Sequence, residues 1–315
     1  MDLILEYILN QGAQIKLLLI ILFQTFLYSQ SIPYFDSEKA FSYLELQCDF
    51  GPRYPGSEGH LNFKNYLEKF LSNTNPDTLI VYEHEITHPY KEEKVNLYNF
   101  LSRYNMHAEN RVMLMAHWDT REIADKDKNP DNHSKPILGA NDGASGISVL
   151  MLLAEILSEN RLQNIGVDLL FIDGEDMGRS GDIENFCIGT TKFCEVLPNP
   201  IPKYAICLDM VADKDPSFPV ETFSWIQAPE LVREIWTLAN ELGYTEFKNS
   251  IVSPIYDDHR ALTLNSGIPA IDIIDFDYPY WHTLDDTPEN CSASTLKIIG
   301  NVMCEFIYRK DYEEK

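Results

Sequence analysis

The sequence is poor in positive charge, which argues against one large class of partner. Its 315 residues include 25 lysines and arginines but 49 aspartates and glutamates, so the formal net charge is −24. Nucleic-acid-binding proteins need clustered basic side chains to neutralise phosphates. We therefore expect no nucleic acid partner. Hydrophobic residues make up 44% of the chain, which is enough for a sizeable core and argues against global disorder.

Cysteine is scarce and is not arranged in pairs. The six cysteines include no CxxC pair and no tight metal-binding spacing, so we expect no cysteine-based metal site. In an exported protein a disulfide between Cys187 and Cys194 would be permitted, although the sequence assigns no connectivity. We expect Cys207 and Cys304 to be small buried hydrophobes.

The sequence also lacks an apolar run of the length that a membrane-spanning helix needs, about 20 residues. The run Leu17–Leu27 is shorter than that. It follows Lys16 and precedes the small-residue pattern Ser29–Ser31, and this order resembles a secretory signal. We predict that residues 1–31 are a signal peptide, or alternatively a retained N-terminal anchor. The protein would then be secreted or periplasmic, and membrane-attached only if the leader is kept.

The remainder, residues 32–315, shows no repeat, no low-complexity segment and no linker, and we predict one catalytic domain there. Short, nearly continuous apolar runs alternate with helical segments, which is typical of strands buried on both faces. We predict an α/β fold: a three-layer α/β/α sandwich around a mixed, mostly parallel central sheet. The predicted strands after a hairpin of Thr78–Thr87 with Val95–Tyr104 are Val112–Ala116, Val167–Asp173, Tyr204–Val211 and Ile268–Asp275, and the predicted helices between and after them are Ala144–Ser158, Pro229–Leu242 and Ala293–Tyr308.

Two further helices are predicted near the start of the domain. Ser37 is the expected N-cap of the first, which should run to about Cys48. The glycines and prolines of Gly51–His60 predict an ordered loop, followed by a second helix over Leu61–Leu71. The polar segment Arg121–Lys135 predicts a surface loop at the rim of the functional site.

Acidic and imidazole side chains cluster at the predicted strand ends. The turn Gly139–Gly146 (GANDGASG) presents Asp142 directly before a helix. Ligands of α/β sheets bind beyond the carboxyl ends of the strands, so these turns should converge. The candidate site comprises His117, Asp119, Asp142, Glu175, Asp176, Asp209, Asp257, Asp258, His259, Trp281 and His282.

So many carboxylates cannot be buried together without a cation. Mixed imidazole and carboxylate ligands favour zinc over magnesium or calcium. In the adjacent pair of Glu175 and Asp176, one acid can bind metal while the other faces the substrate as an acid or base. Asp119, two residues after His117, is placed to accept the second N–H of that imidazole and fix its tautomer.

The ordered motifs resemble one enzyme family. GPRYPGSEGH, AHWDTR..AD.D, PILGANDGASG, FIDGEDMG, CLDMV, DDH and WHTLDDTPEN resemble the glutaminyl-peptide cyclotransferases, especially bacterial members related to the animal type. These enzymes belong to the superfamily of the zinc aminopeptidases, and the match spans about Cys48 to Tyr308. The resemblance implies that N-terminal glutamine of peptides is converted to pyroglutamate with release of ammonia.

The resemblance also implies roles for individual residues. A single zinc ion would be held by Asp142, Asp176 and His282. Glu175 would shuttle the proton, with Asp209 and Asp257 as supporting acids. Trp281 would bind substrate.

In the alternative, a dizinc aminopeptidase that hydrolyses N-terminal residues from peptides, His117 and Asp209 would join the ligands. Asp142 would then bridge two zinc ions. Trp281 and Asp257 favour the cyclotransferase, because the aminopeptidases more often have tyrosine at the former position. Asp176 departs from the glutamate of the animal enzymes. A non-catalytic binding domain is the third reading.

Overall fold

The computed structural model describes residues 31–314, and a six-stranded sheet forms its centre. The strands of this sheet are β1 Thr78–Thr87, β2 Lys94–Tyr104, β3 Arg111–His117, β4 Gly166–Ile172, β5 Tyr204–Asp209 and β8 Ala270–Ile274. Their spatial order is β1, β2, β4, β3, β5 and β8. Strands β4, β3, β5 and β8 run parallel to one another, whereas the β1–β2 hairpin is antiparallel and β2 pairs antiparallel with β4.

Helices cover both faces of this sheet. The helices are α1 Ser37–Asp49, α2 Glu58–Asn73, α3 Ala144–Glu159, α4 Ile188–Cys194, α5 Thr222–Gln227, α6 Pro229–Glu241, α7 Asp258–Ser266 and α8 Ala293–Glu313. Helices α1, α3 and α8 pack together, and Gly146 of α3 lies close to Ala116 and Leu208. On the opposite face, Phe193 of α4 and Leu262 of α7 join the core formed by alternate strand residues. The predicted α/β fold with a mixed, mostly parallel sheet is therefore confirmed.

The continuous apolar runs have the expected physical cause. Every residue of β3, β4 and β8 is buried, because helices lie on both sides of these strands. The hairpin strand β1 instead alternates between exposed and half-buried positions, since it forms the edge of the sheet. This arrangement leaves the carboxyl ends of the parallel strands as the place where polar loops meet.

Two helix starts differ from the prediction. The N-cap of α1 is Asp36, whose carboxylate accepts a hydrogen bond from the Lys39 N–H, and not Ser37. Helix α2 begins at Glu58 and not at Leu61, because Ser57 caps it by accepting from the backbone N–H of His60. In both cases a polar side chain one or more residues upstream satisfies the free N–H groups of the first turn.

Several elements were not predicted from the sequence. Helices α4, α5 and α7 are short, and β6 Phe218–Glu221 pairs in parallel with β7 Phe247–Val252 in a separate two-stranded sheet. The rings of Phe218 and Phe247 lie 5.4 Å apart, and Trp236 of α6 packs on Phe247 at 5.3 Å. Aromatic packing at long sequence separation thus stabilises strands too short for a clear alternating pattern.

The disulfide considered above is not formed: Cys187 and Cys194 are both free thiols, as are Cys207 and Cys304, which are buried as expected. Residues 1–30 of the predicted leader lie outside the described residues. Within residues 31–314, no helix combines the length and the apolar character that crossing a bilayer requires.

Candidate metal and catalytic site

Polar loops after the parallel strands bring the predicted residues together. His117 and Asp209 are the last residues of β3 and β5, and Glu175 and Asp176 follow β4. Asp142 lies just before α3, where Gly143 adopts a positive φ of 104°. A Cβ atom at Gly143 would lie only 2.7 Å from the carbonyl oxygen of Asp119, so glycine permits the close approach of these loops.

Asp142, Asp176 and His282 form a compact group that could hold a metal ion. One ligand atom from each lies within 4.8 Å of the others. The Nε2 atom of His282 is 3.4 Å from Oδ2 of Asp142 and 3.5 Å from Oδ1 of Asp176. The Oδ2 atoms of both aspartates are buried and accept no hydrogen bond from the described residues. Buried acceptors without partners fit a cation, because an uncompensated carboxylate is costly inside a protein.

A second group shares Asp142 with the first. His117 Nε2 lies 3.3 Å from Oδ1 of Asp142 and 3.2 Å from Oδ1 of Asp209, and these three residues could also hold an ion. Burial on its own would lower the pKa of His117, but its contacts with Asp119, Asp142 and Asp209 raise that pKa well above its usual value. Burial raises the pKa of Asp209 to about 7.

Glu175 lies beside these groups but has no cationic partner within ion-pair distance among the described residues. Its closest polar side-chain contact is the thiol of Cys187, whose Sγ is 3.6 Å from Oε1. Burial is the main cause that raises the pKa of Glu175 well above the usual value, and Asp176 and Asp257 add to it. A glutamate whose pKa is raised is better suited to act as a general acid as well as a general base.

The three residues of the DDH motif have different environments: Asp257 lies at the cavity, whereas Asp258 and His259 are buried away from it. Asp257 is the N-cap of α7 and lines the cavity, within 4.8 Å of Glu175 and Cys187 by their ligand atoms. Asp258 is fully buried, and burial raises its pKa well above the usual value. His259 does not join the metal groups, because its Nε2 contacts Oε2 of Glu221 at 3.0 Å in the core.

Asp119 has a second set of contacts besides its predicted position behind His117. The Nδ1 atom of His117 faces the backbone carbonyl of Asp119 at 3.2 Å, whereas the Asp119 carboxylate is 3.6 Å away. That carboxylate accepts the backbone N–H groups of Glu175 and Asp176 at 3.1 and 3.2 Å. Asp119 therefore fixes the turn that carries both acids, in addition to lying behind the imidazole.

An aromatic and aliphatic cavity of about 240 Å³ opens onto these acids. Trp281 forms one wall, and its ring centroid lies 4.9 Å from that of Phe276. The cavity is also lined by Ile183, Phe186, Pro254, Ile255 and Tyr256. The combination of an apolar chamber with a few convergent polar groups is typical of a small-molecule or side-chain site.

Sequence reasoning missed several polar residues around the site. Arg121 and Asp125 lie in the predicted surface loop, yet the side chain of Arg121 is 1% exposed and contacts Asp176. Asp272 lies inside the apolar run of β8 and contributes a ligand atom within 4.8 Å of Asp257 and Cys207. Asp286 accepts the backbone N–H groups of Asn141 and Asp142 and so fixes the turn before α3. Arg121, Asp125 and Asp286 stand within quoted motifs, and Asp272 is an acid within a buried strand; these were the available sequence signals.

Comparison with known proteins agrees with this geometry. Residues 99–307 match the model of peptidase family M28. A glutaminyl cyclase structure from Tannerella forsythia has a TM-score of 0.83 and 35% identity, covering 90% of this chain and 100% of that one. A Zn-dependent exopeptidase from Parabacteroides distasonis has a TM-score of 0.84 and 33% identity, covering 88% and 99% respectively. A curated glutaminyl-peptide cyclotransferase from Bos taurus is 23% identical, over 81% of this chain and 77% of that protein.

Both the fold and the predicted resemblance are thereby confirmed. The family match covers well over half of the chain, and the structural similarity extends over nearly all of the described residues. The chain belongs to peptidase family M28, and within it to the group that includes the bacterial glutaminyl cyclases.

Proposed function

We propose that the protein is a zinc-dependent glutaminyl-peptide cyclotransferase that acts on peptides and proteins with N-terminal glutamine. The observation that carries this proposal is the position of Glu175: a buried acid without an ion-pair partner lies beside a preformed ligand group at the base of an apolar cavity. The similarity to glutaminyl cyclases supports the same activity.

The proposed zinc ligands are Asp142, Asp176 and His282, with one ion per chain. When bound there, zinc supplies Lewis acidity toward the γ-carboxamide carbonyl of the substrate. The buried, unpartnered Oδ2 atoms of the two aspartates support this ligand set. Imidazole and carboxylate donors also match the preference of zinc.

Substrate orientation is assigned to the cavity walls. Ring closure needs a conformer in which the α-amine of glutamine folds back onto its own γ-carbon, so positioning supplies much of the acceleration. The indole of Trp281 is half-buried at the cavity wall and offers a flat face to the planar carboxamide. Phe186 and Ile255 also line the cavity. Their apolar side chains would exclude water that would otherwise compete as a nucleophile.

Glu175 moves the proton in the proposed reaction. A bond forms between the α-nitrogen and the γ-carbon, and the bond between that carbon and the amide nitrogen breaks. A carboxylate oxygen of Glu175 accepts a proton from the attacking amine and donates it to the departing nitrogen, which leaves as ammonia. Asp257 and Asp209 are proposed to support this transfer, because both are buried close to Glu175 or to its neighbour His117.

A dizinc aminopeptidase is the second candidate, and one observation favours it. His117, Asp142 and Asp209 form a second possible metal group that shares Asp142 with the first. With Asp142 common to both groups, these residues would hold two ions, which would supply Lewis acidity for hydrolysis of the first peptide bond. The contact of 3.2 Å between Nε2 of His117 and Oδ1 of Asp209 supports the single-ion proposal, because each group has a partner in the other.

The deciding experiment measures three quantities on purified protein. These are zinc per chain, ammonia release from a peptide with N-terminal glutamine, and cleavage of aminoacyl anilides. A cyclotransferase releases ammonia, leaves the anilides intact and binds one zinc. Anilide cleavage with two zinc ions and no ammonia would establish the aminopeptidase instead. We also propose that residues 1–31 direct export; N-terminal sequencing of the mature protein tests for cleavage after Ser31.

A further inference from the structure

Arg121 links two residues that lie far apart in the sequence. Its Nη1 donates to Oδ1 of Asp176 at 2.6 Å, and its Nε and Nη2 donate to the two oxygens of Asp125 at 2.8 and 3.0 Å. The second contact is the paired geometry in which arginine binds carboxylates most specifically. The ring of Phe186 lies 5.6 Å from the guanidinium, so the arginine is enclosed by protein.

Asp125 extends this connection to His282. Its Oδ1 forms an ion-pair contact of 3.4 Å with Nδ1 of the imidazole, which has no other hydrogen-bond partner among the described residues, while Nε2 of the same ring points toward Asp142 and Asp176. A carboxylate behind the second nitrogen of a ligating histidine fixes the ring orientation and the tautomer. Arg121 therefore contacts the proposed ligand Asp176 directly, and Asp125 contacts His282 at the ring nitrogen that faces away from the other proposed ligands.

The backbone of His282 shows why it needs such support. Its φ of 56° lies in the left-handed region, which is unfavourable for residues other than glycine. The loop that follows Arg121 also forms hydrogen bonds with the main chain around His282. The Lys126 N–H donates to the carbonyl of His282 at 3.1 Å, and the Asp127 carboxylate accepts the Leu284 N–H at 3.1 Å. The segment after Arg121 thus determines where the histidine ring can lie.

The contact with Asp176 also selects one of its oxygens. Arg121 occupies Oδ1, while Oδ2 is buried and accepts no hydrogen bond from the described residues. This leaves one oxygen for a metal and prevents the short side chain from rotating away. The positive guanidinium also lets Asp176 remain close to Asp142 when no ion is present, because it offsets part of the repulsion between the two carboxylates.

We propose that Arg121 and Asp125 are positioning residues that hold Asp176 and His282 in zinc-binding geometry before the ion arrives. Neither Arg121 nor Asp125 is among the residues that line the substrate cavity. The inference rests on the proposed zinc site, but it concerns metal affinity and not the reaction that the metal supports.

The test compares Asp125→Asn with wild type and with Asp131→Asn. The first substitution keeps the size of the side chain and removes its charge, whereas Asp131 is an exposed residue of the same loop. We expect Asp125→Asn to lower zinc affinity roughly 10- to 100-fold in competition with a chromophoric chelator. Asp131→Asn should bind zinc as wild type does. Arg121→Lys, which keeps the charge but not the paired geometry, should also weaken zinc binding.

Thermal unfolding of the metal-free variants shows whether the fold is retained. A folded Asp125→Asn or Arg121→Lys protein with wild-type zinc affinity would overturn the proposal. Wild-type protein that binds zinc but releases no ammonia from glutamine peptides would contradict the proposed function alone, because zinc affinity is measured without substrate. The two failures are therefore separable.

Discussion

The Sγ atom of Cys187 lies 3.6 Å from Oε1 of Glu175. Both side chains are deeply buried, and a thiol is a much weaker hydrogen-bond donor than a hydroxyl or an ammonium group. The ionised form of Glu175 is therefore poorly stabilised, which agrees with a pKa raised well above the usual value, mainly by burial. This local chemistry supports the proton-carrying role proposed for Glu175.

The first prediction concerns Glu175→Gln. Glutamine keeps the shape of the side chain but cannot take up and release the proton, so cyclisation should fall by about 10²- to 10⁴-fold. Zinc content should be unchanged, because the proposed ligands are other residues. Ammonia release and zinc per chain are measured on the same sample. Glu184→Gln, at an exposed position nearby, is the control and should be fully active. Turnover at the wild-type rate by Glu175→Gln would refute the assigned role.

The second prediction concerns the contact between the Cys187 thiol and Glu175. Cys187→Ser replaces a weak donor by a stronger one, which stabilises the charged carboxylate and lowers the pKa of Glu175. Since Glu175 must be ionised to accept the proton of the amine, kcat/KM rises with pH through this pKa. We expect the acidic limb of the pH profile of kcat/KM to move to lower pH in Cys187→Ser.

Cys187→Ala is the matched control, because it removes the donor without adding a new one. Its acidic limb should stay at the wild-type pH or move to higher pH. If the serine and alanine variants both reproduced the wild-type profile, the acidic limb would belong to another group.

Much of this site could be predicted from sequence because of one geometric rule. The carboxyl ends of parallel strands meet at one edge, so His117, Asp209 and the pair after β4 had to converge once the strands were identified. The position of Asp142 in the site was predicted from the glycine-rich turn that directly precedes a helix. These inferences depend only on local patterns and on the direction of the strands.

Other features depend on contacts that no local pattern encodes. The loop that contains Arg121 and Asp125 is polar, and composition does not tell whether a charge faces water or another buried charge. The buried Arg121 becomes understandable only through Asp176, which is 55 positions away in the chain. For the same reason the parallel pairing of β6 with β7 was missed, since it depends on aromatic packing with α6.

The third prediction concerns Trp281. Its ring lies at the cavity wall between Phe276 and the ammonium group of Lys126, which is 5.5 Å from the ring centroid. Trp281→Ala should cost about 2 kcal/mol of substrate binding, or about 30-fold, mainly in KM, because stacking acts on the bound substrate as well as on the transition state. Trp281→Phe should recover most of the loss. Steady-state kinetics with a glutamine peptide provides the measurement.

Trp225→Ala is the control for the general effect of removing an indole. Trp225 packs on Arg233 and does not line the cavity, so its removal should leave KM unchanged. A loss confined to kcat in Trp281→Ala would contradict a role in ground-state binding and would indicate alignment of the reacting groups instead.

The fourth prediction concerns the pH dependence of stability at Asp275, which is not one of the proposed metal ligands. Its side chain is buried, and its Oδ2 accepts the backbone N–H of Ser217 at 3.1 Å. Burial raises the pKa of Asp275 to about 7, and the charge of Asp213 adds to the shift. An unfolded aspartate has a pKa of about 3.9. Between these two values the folded state therefore binds more protons than the unfolded state.

The sign of the pH dependence follows from this difference. When the folded state holds the extra proton, the free energy of unfolding falls as pH rises from about 4 to about 7, and it levels off above that range. Asp275→Asn removes this titration, so its free energy of unfolding should decline less steeply over the same range. Urea unfolding of both proteins at several pH values measures the two slopes. Asp285→Asn, at an exposed position, should keep the wild-type slope. Equal slopes for Asp275→Asn and wild type would mean that Asp275 ionises in the fold as it does in water.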